Sequence, residues 1–188
     1  MKSDRQKEYR EKTESLFGGV EWLRKERKLY IAKERLVQSK SKNERAKYEK
    51  EIAQARILTA RRHTVYLVPE SGNGKHYDAL VDGRETEMKT LTGGVNAVGR
   101  NFAKAIKQGK DVFLCILNEN VSLGEIAAVL VKKIRVMSDN GAVFKDDSIV
   151  RVWVEKEKKL TNWKLQELIK ASKGQQQQTP PKRGLPSI

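Results

Sequence analysis

Two short runs on either side of residue 82 place ionisable side chains at strand spacing. Residues 82–83, Asp-Gly, are typical of a two-residue hairpin turn, because both central residues of such a turn take a positive φ. Pairing outward from this turn sets Asp78 opposite Glu87. Two residues further out, His76 lies opposite Lys89. Side chains alternate across a strand, so these four residues would share one face of the hairpin.

This face is open to two interpretations. Carboxylates that oppose each other destabilise a hairpin by about 0.2–1 kcal/mol, and a chain that accepts this cost often uses them in catalysis. A lysine beside them completes a catalytic group, and Asp78, eight residues and then Glu87-x-Lys89 is similar to the reduced signature of a large nuclease superfamily. The other interpretation is a solvated face on which Lys89 neutralises the two acids.

The charge balance indicates a polyanionic partner. The chain has 188 residues and a formal net charge of +15, with most of the excess in the first third. Nucleic acid is the usual partner of such a chain. With two histidines and one cysteine a zinc enzyme is not expected, and Cys115 is expected to be a buried structural residue. No apolar run reaches the length of a membrane-spanning helix, so no membrane insertion is expected.

The pattern along the chain predicts an α/β (α+β) fold. A small domain with a central mixed or antiparallel sheet flanked by helices, residues 63–170, is predicted to follow a basic helical region, residues 1–62. Residues 171–188 are predicted to be a disordered tail. The predicted helices are 4–15, 20–38, 43–62, 95–108, 122–133 and 162–170, and the predicted strands are 64–68, 76–81, 84–90, 111–117, 134–138 and 149–154.

The order from residue 43 is helix, strand, hairpin, helix, strand. This is similar to the restriction-endonuclease-like core, in which a helix precedes three antiparallel strands, followed by a helix and a fourth strand.

A second resemblance is carried by short motifs. They include Asp78-Ala79-Leu80-Val81-Asp82-Gly83, residues 86–91 and residues 98–102. Together with residues 64–70 and 108–114, they resemble the C-terminal toxin domains of contact-dependent growth-inhibition (CdiA-type) proteins and related phage and mobile-element toxins. The resemblance covers roughly residues 60–165. It implies a nuclease, usually one that cuts transfer RNA, which acts in the cytoplasm of a target cell after delivery within a larger toxin. It also implies a cognate immunity protein.

The resemblance leaves two chemistries open. In the first, Asp78 and Glu87 hold Mg²⁺, which lowers the pKa of a water, and Lys89 orients the nucleophile or stabilises the charged phosphate. In the second there is no metal: the RNA 2′-hydroxyl attacks, and His76 acts as a proton-transfer group with Lys89 and Thr90 near the phosphate. The cations expected to bind the substrate are Lys75, Arg100, Lys104, Arg61 and Arg62.

Two other functions fit the same residues. One is a Mg²⁺-dependent DNA nuclease of the restriction-endonuclease-like type. The other is a non-catalytic nucleic-acid-binding protein of a mobile element, in which the basic helices make the contacts. Trp22 and Tyr30 lie among basic residues, where they either stack on bases or form the apolar stripe of the helix predicted at 20–38.

Overall fold

The computed structural model describes residues 2–38, 41–69, 77–107, 111–144 and 147–174. These residues form six helices and one eight-stranded sheet. In chain order the elements are α1 (Lys2–Leu16), β1 (Trp22–Glu26), β2 (Leu29–Ala32), α2 (Lys33–Gln38), α3 (Lys42–Ala60), β3 (Val65–Leu67), β4 (Ala79–Val81), β5 (Arg84–Leu91), α4 (Val95–Lys107), β6 (Asp111–Ile116), α5 (Leu123–Asp139), β7 (Ile149–Val154), β8 (Lys159–Lys164) and α6 (Leu165–Gly174).

The strands lie side by side in chain order. The pairs β1–β2, β3–β4, β4–β5 and β7–β8 are antiparallel, and β2–β3, β5–β6 and β6–β7 are parallel. The predicted order of a helix, three antiparallel strands, a helix and a strand is confirmed by α3, β3 to β5, α4 and β6. The predicted α/β class with a mixed sheet is confirmed as well. No helix in the described ranges combines the length and apolar character that a bilayer crossing requires.

The hairpin of β4 and β5 has the predicted register. Asp82 and Gly83 both have a positive φ, 51° and 73°, as the predicted turn requires. A Cβ atom on Gly83 would lie 3.1 Å from a ring carbon of Tyr9 in α1, so the turn is also in close contact with that helix. The paired residues are Ala79 with Thr86, Leu80 with Glu85 and Val81 with Arg84.

Helices cover both faces of the sheet. Helix α3 packs on one face, where Met88 and Phe113 belong to its core. Helices α4, α5 and α6 pack on the other, where Leu91 and Leu114 belong to a separate core. Helix α1 packs on this second face over β1 to β4, around Leu80. Cys115 is buried as expected, and burial raises the pKa of its thiol to about 11.

The prediction of one helix over residues 20–38 is wrong. Residues 22–32 form the hairpin of β1 and β2, with Lys28 at φ 66° in its turn, and only residues 33–38 are helical. Tyr30 pairs with Tyr66 of β3, so a partner distant in sequence decides the conformation of β2. The sheet therefore includes strands from both sides of residue 62.

Two predictions near the C-terminus are also wrong. Residues 134–138 are not a strand, because Ile134 and Met137 continue the buried stripe of α5 as far as Asp139. Residues 162–164 are the end of β8 rather than the start of a helix, and α6 begins at Leu165. The residues of β8 alternate only weakly between exposed and half-buried positions, so the sequence lacks a clear strand pattern that separates β8 from the amphipathic helix that follows.

Candidate active site

Asp78 immediately precedes β4 and is tied to the neighbouring strand. Its main-chain N–H donates to the carbonyl of Thr86 at 3.2 Å. Its Oδ2 atom accepts a hydrogen bond from the N–H of Met88 at 2.8 Å. The carboxylate of Asp78 is therefore held against the backbone of β5, at the residue that follows Glu87.

Glu87 is a buried acid in the middle of β5. The residue is 6% exposed, and its Oε1 atom accepts a hydrogen bond from Nζ of Lys89 at 2.5 Å. Among the residues that the structure describes, no group donates to its other oxygen, Oε2. A buried carboxylate oxygen without a partner raises the free energy of the folded state, so a proton donor or a cation at this atom would be stabilising.

Lys89 connects this buried acid with solvent. Its side chain is 35% exposed while its ammonium group contacts Glu87. The ammonium group of Lys89 is thus held by the carboxylate of Glu87, and the partly exposed lysine side chain remains accessible to a ligand above the sheet.

Strand alternation places this pair on the face covered by α1 and α4. Met88 points into the α3 core, so its neighbours Glu87 and Lys89 point to the opposite face. On that face Leu80 of the adjacent strand packs against α1, and Leu91 at the end of β5 packs against α4. The carboxylates and the lysine therefore lie between the areas that the two helices cover.

The donor set fits a hard divalent cation. Mg²⁺ prefers oxygen ligands and is commonly bound through one or two carboxylates with waters in its other positions. The partnerless Oε2 of Glu87, beside the Asp78 carboxylate, fits such an ion. No group of three or more histidine, cysteine, aspartate or glutamate residues suited to a metal occurs in the described ranges, and the carboxylates described here are those of Asp78 and Glu87.

Several other predicted site residues do not lie beside Glu87 and Lys89. Thr90 follows Lys89 on the strand, and alternation turns it to the α3 face, away from Glu87. The guanidinium of Arg61 lies 4.0 Å from the ring centre of Trp153 in the α3 core, so Arg61 also lies on that face. Arg62 is exposed in the turn before β3, where its carbonyl accepts a hydrogen bond from Lys28. His76 and Lys75 lie outside the described residues.

Helix α4 turns two residues toward the site: Lys104, a predicted cation, and Asn101, which the sequence analysis did not identify. Gly99 faces α5, since a Cβ atom there would lie 2.9 Å from Val129. Two residues along a helix turn roughly 200°, so Asn101 lies on the side away from α5 and toward the site, with Lys104 one turn further. Arg100 is exposed on the outer surface between these sides. Asn101 is half-buried, and only the helix packing distinguishes it from any polar helical residue.

A separate buried network holds the far ends of the central strands. Asp111 at the start of β6 accepts hydrogen bonds from Nε of Arg84 at 2.8 Å and Nη1 of Arg151 at 3.0 Å. It also accepts one from the N–H of Ile149, so it fixes the starts of β5, β6 and β7 relative to one another. This network positions the strand that carries Glu87.

His63 forms a pair with the turn of the hairpin of β4 and β5. Its Nδ1 atom lies 2.6 Å from Oδ2 of Asp82, whose Oδ1 accepts from the N–H of Thr64 at 2.8 Å. Burial alone would raise the pKa of Asp82, but the hydrogen bonds from His63 and Thr64 outweigh it and hold the pKa of this carboxyl below its usual value. The pair fixes the turn from which the hairpin register starts.

Comparison with known proteins gives one loose structural likeness. No family model matches the chain, and no curated protein matches it significantly. In structure the chain is similar to a CdiA-CT/CdiI toxin and immunity complex from Burkholderia pseudomallei, with a TM-score of 0.45 and 17% identity. The match covers 61% of this chain and 82% of that chain.

Proposed function

We propose that this chain is a nuclease that cleaves phosphodiester bonds of RNA, with transfer RNA as its substrate. The observation that carries the proposal is the buried Glu87 carboxylate, with Lys89 on one oxygen and no described donor on the other, beside the carboxylate of Asp78. The net charge of +15 supports a polyanionic substrate. The choice of transfer RNA comes from the sequence resemblance.

Each residue has a defined task in this proposal. Asp78 and Glu87 would hold Mg²⁺, which when bound activates water as a nucleophile and neutralises charge on the phosphate. Lys89 offers a cation at the exposed side of the same carboxylate, where it attracts the phosphate and stabilises charge that develops on its oxygens. The hydrogen bond from Met88 fixes Asp78 before any substrate arrives.

The first test compares substrates and metal conditions. The purified chain is incubated with transfer RNA, total RNA and duplex DNA, each with Mg²⁺ or with EDTA. The expected result is that RNA is cleaved in Mg²⁺ and is not cleaved in EDTA. Cleavage of RNA in EDTA would instead support the 2′-hydroxyl route through His76, and cleavage of DNA alone would support the restriction-endonuclease-like alternative.

The second test removes the proposed catalytic groups. Glu87→Gln and Lys89→Ala are expected to lower the cleavage rate by at least about a hundredfold, the scale of a single catalytic group. RNA binding, measured by fluorescence anisotropy, should stay within a few-fold of the wild type. The control variants Glu49→Gln, on α3 at the opposite face of the sheet, and Lys170→Ala, on α6, change exposed residues and should cleave normally.

One result would contradict the proposal. If the wild type binds RNA but cleaves neither RNA nor DNA under any of these conditions, the chain is better explained as a nucleic-acid-binding protein.

The proposal includes a protein partner. From the sequence resemblance we expect a cognate immunity protein and action in the cytoplasm of a target cell, after delivery as part of a larger toxin. Expression of the chain inside cells should therefore stop growth, and Glu87→Gln should not. Growth arrest that persists in Glu87→Gln would separate toxicity from cleavage at this site.

A further inference from the structure

A cavity lies between α1 and the first three strands, apart from the acidic site. Its volume is about 710 Å³, within the range of small-ligand sites. Its walls are the inner side of α1, the loop at Gly18 and Gly19, and side chains of β1, β2 and β3. A cavity of this size and lining can enclose one flat, polar ring system.

Aromatic rings make its floor. Tyr30 stacks on Tyr66 with ring centres 4.5 Å apart and an angle of 12°, and Trp22 meets Tyr66 edge-on at 5.2 Å. Tyr30 is half-buried and lines the cavity. The indole N–H of Trp22 is buried, and no acceptor for it occurs among the described residues. The floor therefore offers a preformed stacking surface.

The charge of the cavity lining is positive. Lys7, Arg10 and Arg24 contribute cations, and Glu14 is the acid opposite them. Glu14 is bound by Arg10 at 2.9 Å, so this acid and its partner neutralise each other. Exposed Arg24 remains as a cation at the aromatic cavity, and Lys7 adds a second one that is held in an exposed pair with Glu11 at 3.8 Å, which suits a ligand with a flat ring and an anionic group.

Strand register connects the cavity to the acidic site. Arg24 pairs with Tyr30, Tyr30 with Tyr66, Tyr66 with Leu80, and Leu80 with Glu85, so these side chains form one row on one face of the sheet. Glu85 and Glu87 share a strand and a face. From strand and residue spacings, Tyr66 and Glu87 are roughly 12 Å apart along the sheet. Leu80, which lies between them, is fully buried under α1, so a strand that reaches both places passes around this helix.

We propose that this cavity binds one unpaired base of the substrate RNA. The base stacks on Tyr30, and the adjoining phosphates lie on Arg24 and Lys7. The cavity thereby selects a nucleotide a short distance along the strand from the bond to be cut. This inference rests on the proposed function, and it names the part of the RNA that is recognised outside the cleavage site.

The test measures binding apart from cleavage. The probes are a short single-stranded RNA, the same sequence in a duplex, and ribose 5-phosphate, which carries the phosphate without a base. Binding is measured in the Glu87→Gln background with EDTA, so that no probe is cut. The single strand is expected to bind most tightly, and ribose 5-phosphate should compete with it poorly.

Variants of the cavity should separate stacking from charge. Tyr30→Ala is expected to weaken single-strand binding by about 5- to 150-fold, the range for losing one base–aromatic stack. Tyr30→Phe keeps the ring and should bind nearly as well as the parent. Arg24→Gln changes an exposed residue, so its folding is not at risk, and it should weaken the single strand and ribose 5-phosphate together. Lys170→Ala is the charge control.

The outcomes distinguish this inference from the proposed function. If Tyr30→Ala and Arg24→Gln, folded by circular dichroism, bind the single strand as the parent does, the cavity is a packing gap and the inference is overturned. A wild type that binds RNA through Tyr30 but never cuts it would overturn the proposed function and leave the cavity proposal standing. Stronger binding to the duplex than to the single strand would also contradict the cavity proposal.

Discussion

At the scale of residues, the Glu87–Lys89 pair lowers the stability of the fold but leaves a charged group accessible. A buried carboxylate keeps its charge only where partners compensate for the loss of water, and one oxygen of Glu87 lacks such a partner in the described structure. Stability alone would favour an apolar residue at this position of the sheet. The arrangement is therefore typical of a site kept for chemistry, where local rules are broken for function.

This effect on stability gives a prediction about unfolding. Replacing both residues, Glu87→Leu with Lys89→Met, is expected to raise the free energy of unfolding by about 1 kcal/mol, the low end of the gain from replacing a buried ion pair by apolar residues, because Glu87 is buried but Lys89 is 35% exposed. Lys89→Met alone should lower it by about 1–3 kcal/mol, because the buried carboxylate then loses its donor. Urea unfolding measures both. A double variant less stable than the single variant would show that the pair supports the fold.

At the scale of elements, the turn between β4 and β5 sets where the acids fall. One step of slippage would move Glu87 to the α3 face, since side chains alternate. The turn is fixed by its two positive φ angles, by the His63–Asp82 pair, and by α1 packed on Gly83. The position of the candidate site thus depends on a few residues at the opposite end of the hairpin.

Gly83 is the residue of this turn most open to a test. Gly83→Ala is expected to lower the free energy of unfolding by about 1–2 kcal/mol, because alanine is strained at φ 73° and its Cβ would crowd Tyr9. Gly124→Ala is the matched control: this glycine lies in α5 with nothing within 4 Å of an added Cβ, so the change should be neutral or stabilising. Thermal or urea unfolding compares them. Equal stability in the two variants would contradict this role of the turn.

The hairpin could be predicted from the sequence because its information is local. The Asp82-Gly83 turn and the alternation beside it define register, face and the proximity of Asp78 to Glu87 within about fifteen residues. Strand β2 could not be predicted in the same way, since Tyr30 becomes a strand residue through pairing with Tyr66. For the same reason the sequence could indicate Trp22 and Tyr30 as candidate stacking residues but not the cavity, because Tyr30, Tyr66 and α1 meet only in the folded chain.

At the scale of the whole molecule, the cations differ in whether they are free to bind a phosphate. Some cations are already engaged, as Arg61 is on Trp153 and Arg84 is on Asp111. Others are exposed on α4, namely Lys104 on the side toward the site and Arg100 on the adjoining outer surface. The net charge of +15 therefore overstates the number of groups that can meet RNA phosphates at the proposed site.

Salt dependence of RNA binding should separate these two groups of cations. Each phosphate contact on a single strand contributes about 0.7 to the slope of log affinity against log salt concentration. The variant Arg100→Gln with Lys104→Gln is expected to reduce the slope by about 1.4 if both residues bind phosphates. Arg61→Gln removes the same charge from a residue held on Trp153 and should leave the slope unchanged. The reverse result would place the RNA on the α3 face, away from Glu87, and would contradict both the proposed site and the path from the cavity to it.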